Sequence, residues 1–465
     1  MSERILFQTG KLAEKNLQRV LQEIQPVSFT TEVCELGLNV AGLMTADMIQ
    51  RRLEPPEGVD RIIVPGRCRG DLDALGDHLG IPVRRGPDEL KDLPQYFGMG
   101  AAEPDLSRYD IRIFAEIVDA PFLDIDTILT RAGDYQASGA DVIDIGCLPD
   151  TSFPHLAESV QALHSAGFRV SVDSMNPDEL LAGGLAGADY LLSLHEDTLW
   201  IADEVASVPV LIPGEAGNLE SVLRAIDRLS SEGRPCLADP VLDPLLLGFT
   251  ESIMRYRELR TRRPDVEILM GAGNVTELTD ADTSGINAVL AGIASELGIR
   301  NILTTQVSEH ARRVVHELDI ARRTMYLARR NNELPRNLDS RLLTIHERDP
   351  FPYNLGEIEE TAAAVRDPSY RVQTSADGIH VFNREGLQTA TDPFSLYPQL
   401  EFRGDAGHAF YMGAELARAQ IAWQLGKRYV QDEELDWGCA ADREDDDLST
   451  QTRHGCTMGN TGTDS

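Results

Sequence analysis

From Arg112 to about residue 330 the chain repeats one unit: a short apolar run, a polar or glycine break, then a helical pattern. The apolar runs are RIFAEIVDAP, ADVIDIG, FRVSVDS, ADYLLSLH, VPVLIPG, PCLADP, VEILMGAGN and RNILTTQVS. Most are apolar along their whole length rather than at alternate positions, as in parallel strands buried on both faces. About eight such strand–helix units in this length favour a closed (β/α)8 TIM barrel, with an open doubly wound sheet as the alternative. The barrel is expected over residues 110–330.

The flanks have a different rhythm. Residues 1–97 alternate RILFQTG, FTTEVCEL, RIIVPG and IPVRRGP with helical patterns, which predicts a small α/β domain on a parallel sheet. Residues 340–438 are expected to form a C-terminal α+β domain: a hairpin over RVQTSADGIHVFNREG, and a helix over GHAFYMGAELARAQIAWQLGKRY in which Phe410, Leu416 and Trp423 face a sheet. Residues 439–465 are polar and acidic, the composition of a disordered tail.

Charge narrows the function. Asp and Glu total 76 against 43 Lys and Arg, a net charge of −33, which repels phosphate backbones and argues against nucleic-acid binding. Lysine occurs only at Lys11, Lys15, Lys91 and Lys427, outside the barrel. No apolar run is long enough to span a membrane, and the N-terminus lacks the apolar core of a secretory signal, so a cytoplasmic protein is expected. The six cysteines are dispersed and read as reduced thiols, with Cys147 a small buried hydrophobe. Cys439, His454 and Cys456 lack the spacing of a metal site.

In a TIM barrel the chemistry gathers where the strands end. The polar residues there are Glu116 and Asp119, Asp144, Asp173, Ser193 with His195, Glu196 and Asp197, Asp239 with Asp243, Asn274 with Thr276 and Glu277, and Gln306 with Ser308 and Glu309. A ring of carboxylates can accept hydrogen bonds from an N–H-rich heterocycle or hold a divalent cation such as Mg²⁺. Asp144 and Asp197 fit helix caps or turns as well as they fit ligand contacts. No zinc spacing occurs at these positions, and GAGNVTEL, with no following G-K-[ST], is not a Walker loop. In the flanks, Arg67 and Arg69 form a basic spot that surface solvation explains equally well. Arg403, His408 and Tyr411 surround a glycine-preceded helix start that can bind an anion or simply open an amphipathic helix.

In their order, SGADVIDIG, RVSVDS, ADYLLSL, LADPVLDP and VEILMGAGNVTEL resemble the pterin-binding barrel family, which contains dihydropteroate synthases and pterin-dependent methyltransferases. The chain as a whole is similar to the dihydropteroate synthase-like proteins associated with methanopterin-type cofactor synthesis, which also carry extra N- and C-terminal domains. The resemblance implies a pterin as substrate or ligand, held by Asp144, Asp173, Ser193, Asp239 and Asn274. Glu116, Asp119, Thr276, Gln306 and His310 would be further candidates at the mouth. It also implies condensation of an activated dihydropterin with a p-aminobenzoate-type arylamine. Methyl transfer from a reduced pterin, with Asn274 on the cofactor, and pterin binding without chemistry are the alternatives. No catalytic residue is singled out. The synthases' first-loop Asn-Thr-Pro-Asp-Ser-Phe is replaced by AEIVDAPFLDID, their Ser-Arg-Lys by GAGNVT, and their closing Arg-x-His by QVSEH. Whether the chain is a monomer or a homodimer stays open.

Overall fold

The computed structural model describes residues 2–11, 13–24, 29–38, 41, 44–88, 90–98, 104–402, 405–442, 448 and 449. They fall into two compact units. One comprises residues 1–103, 345–437 and 442–465; the other comprises 104–344 with 438–441. The first and third segments of the chain therefore share a unit.

That unit opens with strands β1 (Glu3–Thr9), β2 (Phe29–Glu35), β3 (Arg61–Val64) and β4 (Val83–Arg85), hydrogen-bonded in the order β2-β1-β3-β4 and all parallel. Alternate side chains of β1 serve two cores, as strand geometry requires. Ile5 and Phe7 meet Leu17, Val20 and Leu21 of the helix Glu14–Glu23 on one face. On the other face, Leu6 joins Ile49, Leu72 and Leu75 of the helices Ala46–Arg52 and Leu72–Leu79.

The second unit is a closed barrel of eight parallel strands: β5 (Arg112–Ile117), β6 (Val142–Gly146), β7 (Val170–Asp173), β8 (Tyr190–Leu194), β9 (Val208–Leu211), β10 (Leu237–Ala238), β11 (Glu267–Gly271) and β12 (Asn301–Thr305). β12 pairs β5 to close it. Strand β10 spans only two residues because Pro235 and Pro240 bracket it and donate no backbone hydrogen bond. The helices between strands pack on the outer face. Inside, Phe114, Val142, Tyr190, Leu192, Val210, Leu237 and Leu269 fill the lumen as an apolar plug, as in small barrels whose interiors are packed with side chains.

A single arginine locks the plug end. Arg322 is 1% exposed and pairs with Asp141 and Asp319, while its Nη atoms donate to the carbonyls of Ile111 and Gly139 at 2.6 and 2.8 Å. Its guanidinium stacks 3.5 Å over the Tyr109 ring. Asp141 in turn accepts from the Ile113 N–H and the Tyr109 hydroxyl.

The remaining strands, β13 (Arg371–Ser375), β14 (Gly378–Asn383) and β15 (Gly386–Ala390), lie in the first unit as an antiparallel sheet. The hairpin expected there continues into a third strand. The helix Ala406–Leu425 packs on it through Met412, Leu416 and Ala419, with Trp423 against the same core. Phe410, expected on that face, is 80% exposed: the buried stripe starts at Met412 and passes it by. The helix start does not stand open for an anion, because the Asp405 carboxylate accepts from the His408 N–H there. His408 and Tyr411 are near-parallel neighbours at 6.0 Å, and Arg403 lies outside the described residues. Arg67 and Arg69 are not a solvated patch: Arg67 is paired with Glu433 and Arg69 is buried. Of the acidic tail, only 439–442, 448 and 449 are described; Cys439 is buried, and His454 and Cys456 lie outside the described residues. No helix among the described residues is long and apolar enough to cross a membrane.

Removing Arg322 would take the buried guanidinium from two partly buried carboxylates, Asp141 and Asp319, and a donor from each of two carbonyls. Arg322→Ala is expected to destabilise the barrel unit by about 3–5 kcal/mol, read as a lower denaturation midpoint; a change below about 1 kcal/mol would contradict this role.

Candidate functional site

The site follows from counting two residues along each strand from the plug, because side chains alternate in and out. Beyond Phe114 comes Glu116, beyond Val142 comes Asp144, beyond Leu237 comes Asp239, beyond Leu269 comes Gly271 and beyond Leu303 comes Thr305. On β7 the inward position is Asp173, the last residue of the strand. The register confirms the layer: Thr305 lies beside Glu116, and Glu116 beside Asp144. A further member comes from an irregularity. Between Leu191 and Leu194 the β8–β9 register shifts, and Ser193 takes a φ of +68°, a conformation costly for a residue with a Cβ. The result is that Ser193 Oγ reaches Asp173 Oδ1 at 2.5 Å, the re-aiming of a side chain that bulges produce near sites.

Three of the carboxyls form one group. Oxygens of Glu116, Asp144 and Asp173 lie within 4.8 Å of one another. Gly146 makes room for it: a Cβ there would come within 2.6 Å of a Glu116 oxygen and 3.1 Å of the Val118 Cα. Ser171 donates to Asp144 Oδ1, while Asp144 Oδ2 is buried without a partner, as is the Thr305 hydroxyl. No Lys, Arg or His is ion-paired with this trio among the described residues. Burial, then the Asp173 charge, pushes Glu116 up to about 7. Burial above all raises Asp144 and Asp173 as well, with Asp173 and Glu116 adding to the effect on Asp144. Close carboxyls with little access to water resist ionising together, so this trio holds protons more tightly than free carboxyls do. Asp239 stands across the mouth, raised by burial to about 6 and held by the Tyr256 hydroxyl at 2.6 Å and the Val241 N–H at 2.8 Å. Gly271 leaves its surroundings open, a Cβ there lying 3.8 Å from Asp239 Oδ2.

The other residues named from the sequence serve the scaffold. Asn274 Nδ2 donates to the Leu242 carbonyl at 2.7 Å, and His310 Nε2 contacts the Thr276 carbonyl at 3.0 Å. The buried Thr276 hydroxyl faces the Ala272 carbonyl, and Gln306 Oε1 accepts from the Val315 N–H at 3.2 Å. Asp119 is paired with Arg131, Asp243 with Arg255, and Glu196 with Arg224. The Glu277 carboxylate accepts from the N–H groups of Val307 and Ser308. Asp197 has a side chain 95% exposed near His195. Asp144 is no cap: it is buried in mid-strand. Burial pushes the Cys147 thiol up, away from reactivity. The sequence reading passed over Ser171, Thr305 and Tyr256. The first two were signalled by their two-residue spacing from Asp173 and Leu303; Tyr256 arrives from a helix and had no such signal.

Glu116 has a measurable signature. Folding raises its pKa, so the native state keeps a proton that the unfolded chain has lost, and stability falls as pH rises from about 4.5 to about 7. Glu116→Gln is therefore expected to gain stability over the parent across that window, by about 1–3 kcal/mol at pH 8 relative to pH 4. Denaturant midpoints of both proteins against pH would show it; parallel curves would contradict it.

Comparisons with known proteins cover the chain unevenly. Residues 3–88 match a "Family of unknown function (DUF6513)". Over nearly its full length the chain is similar to the uncharacterized protein MJ0107 of Methanocaldococcus jannaschii, at 26% identity, covering 93% of this chain and 99% of that one. Among solved structures it resembles dihydropteroate synthases. That of Yersinia pestis with a pterine-sulfa conjugate has 18% identity and a TM-score of 0.37, covering 49% of this chain and 94% of that one. That of Vibrio fischeri has 16% identity and a TM-score of 0.38, covering 48% and 94%. That of Thermus thermophilus, in complex with 6HMPPP, has 18% identity and a TM-score of 0.36, covering 46% and 93%.

Proposed function

We propose that the barrel binds a pterin and condenses an activated dihydropterin with a p-aminobenzoate-type arylamine, a dihydropteroate synthase-like transfer in tetrahydromethanopterin- or folate-type cofactor synthesis. The observation that carries this reading is the acid layer itself. Glu116, Asp144, Asp173 and Asp239 line one mouth with no ion-paired cation among the described residues. A pterin's amino-oxo edge presents adjacent N–H donors, and an ionised carboxylate in a dry pocket accepts them strongly. Asp173 and Asp239 are the acceptors assigned to that edge, with Ser193 orienting Asp173.

In the transfer, a C–N bond forms between the arylamine nitrogen and the pterin's exocyclic carbon. The C–O bond to diphosphate breaks, and the amine gives up a proton. Glu116, raised to about 7, is matched to accept that proton near neutrality. The trio's hard oxygens also suit Mg²⁺, which would offset the charge of the departing diphosphate.

One observation favours the reading without chemistry. The basic side chains beside the mouth are committed: Arg131 to Asp119, and Arg255 to Asp243 and to the Pro240 and Val241 carbonyls.

Pyrophosphate release from dihydropterin pyrophosphate and a panel of p-aminobenzoate-type amines decides between the two. The synthase reading predicts release that requires both substrates and falls on the order of 100-fold in Asp173→Ala and Asp239→Asn. Pterin binding without release would leave a binding protein.

A further inference from the structure

The strand order of the first unit contains a switch. From β1 the chain crosses to β2 on one side, then returns to β3 on the other side of β1. The connections after β1 and β3 thus diverge, leaving the crevice at the strands' carboxyl ends where doubly wound sheets take ligands. Here residues from the 345–437 segment roof that crevice into a cavity of about 350 Å³, within the range of small-molecule sites. Phe7 and Ile63 from the sheet and Phe382 and Tyr429 from the roof give it apolar and aromatic walls.

Of the four carboxamides in the lining, Gln8, Asn16, Gln373 and Gln431, the first and third have buried atoms without partners. Gln8, near the end of β1, is 3% exposed, and neither its Oε1 nor its Nε2 has a hydrogen-bond partner. Its register neighbour on β2 is Cys34, whose thiol is too weak a partner to satisfy it. Gln373 on β13 lines the opposite part, and its Oε1 is likewise buried and unpartnered. Native proteins leave few such groups, and each costs about 1–3 kcal/mol unless something completes it. Among the described lining residues the arginines are already answered, Arg67 by Glu433 and Arg371 by Asp367, and the N-terminus of the helix Glu14–Glu23 has Glu14 in its first turn.

We infer that this cavity is a second ligand-binding site, separate from the barrel mouth, that takes an uncharged planar nitrogen heterocycle through a lactam edge. The ring fits the aromatic walls, and its adjacent N–H and C=O supply the donor and acceptor that the two carboxamides lack. With the two arginines of the described lining committed, a phosphate on the ligand gains no free cation from them.

Hypoxanthine is the probe and inosine monophosphate its charged counterpart, each titrated calorimetrically into the full chain and into Gln8→Leu, Gln373→Leu and Asp173→Asn. The expected result is saturable hypoxanthine binding that weakens tenfold or more in both glutamine variants and persists in Asp173→Asn, with inosine monophosphate weaker. Unchanged binding in the glutamine variants, its loss in Asp173→Asn, tighter binding of the phosphate, or no saturation up to the probe's solubility limit would each overturn the inference. Thermal melting checks the variants. Gln8→Leu removes an unsatisfied buried amide, so its melting temperature should match or exceed the parent's; a marked drop would assign Gln8 a structural partner and overturn its role here.

Discussion

Four carboxyls gathered at one barrel mouth, two buried and two partly buried, with no cation ion-paired to them among the described residues, set the terms for the barrel unit. Burying a charge without a partner is expensive, and a carboxyl escapes the cost by keeping its proton. The trio of Glu116, Asp144 and Asp173 does so collectively, softened by hydroxyls from Ser171 and Ser193. The cost is borne by the rest of the fold: a filled plug beneath, helices packed around it, and the Arg322 network at the far end. A layer that works against stability and is supported this thoroughly is what a candidate site, rather than a core, requires.

Much of this layer was legible from sequence because it rests on period-two alternation in strands. Asp173 closes the strand run VSVD and Asp239 follows the apolar start of LADP, so a strand pattern alone puts both at the mouth. The bulge at Ser193 was not legible, since a positive φ on serine leaves no trace in composition. Neither were the bonds that occupy Asn274, His310 and Gln306, because their partners, Leu242, Thr276 and Val315, are set by loop geometry. Phe410 shows the same limit on a helix: hydrophobicity marked it for burial, and the actual stripe begins two residues later.

The union of residues 1–103 with 345–437 was equally beyond local pattern. Nothing in RIIVPGR or RVQTS reports on the other, yet Arg67 pairs with Glu433, Arg428 with Asp92, and Gln8 and Gln373 line one cavity. Burying a parallel sheet's carboxyl ends under a distant segment is a tertiary solution, and only its parts are written locally.

The central claim is that the barrel's acids hold protons until an N–H-rich heterocycle replaces them. Calorimetric titration with 6-hydroxymethylpterin near pH 7, repeated in buffers of differing ionisation enthalpy, counts the protons exchanged on binding. The account predicts net release, approaching about one proton per pterin bound, because an acceptor carboxyl must ionise to receive the ring's N–H groups. Binding with no proton exchange, or with uptake, would contradict it.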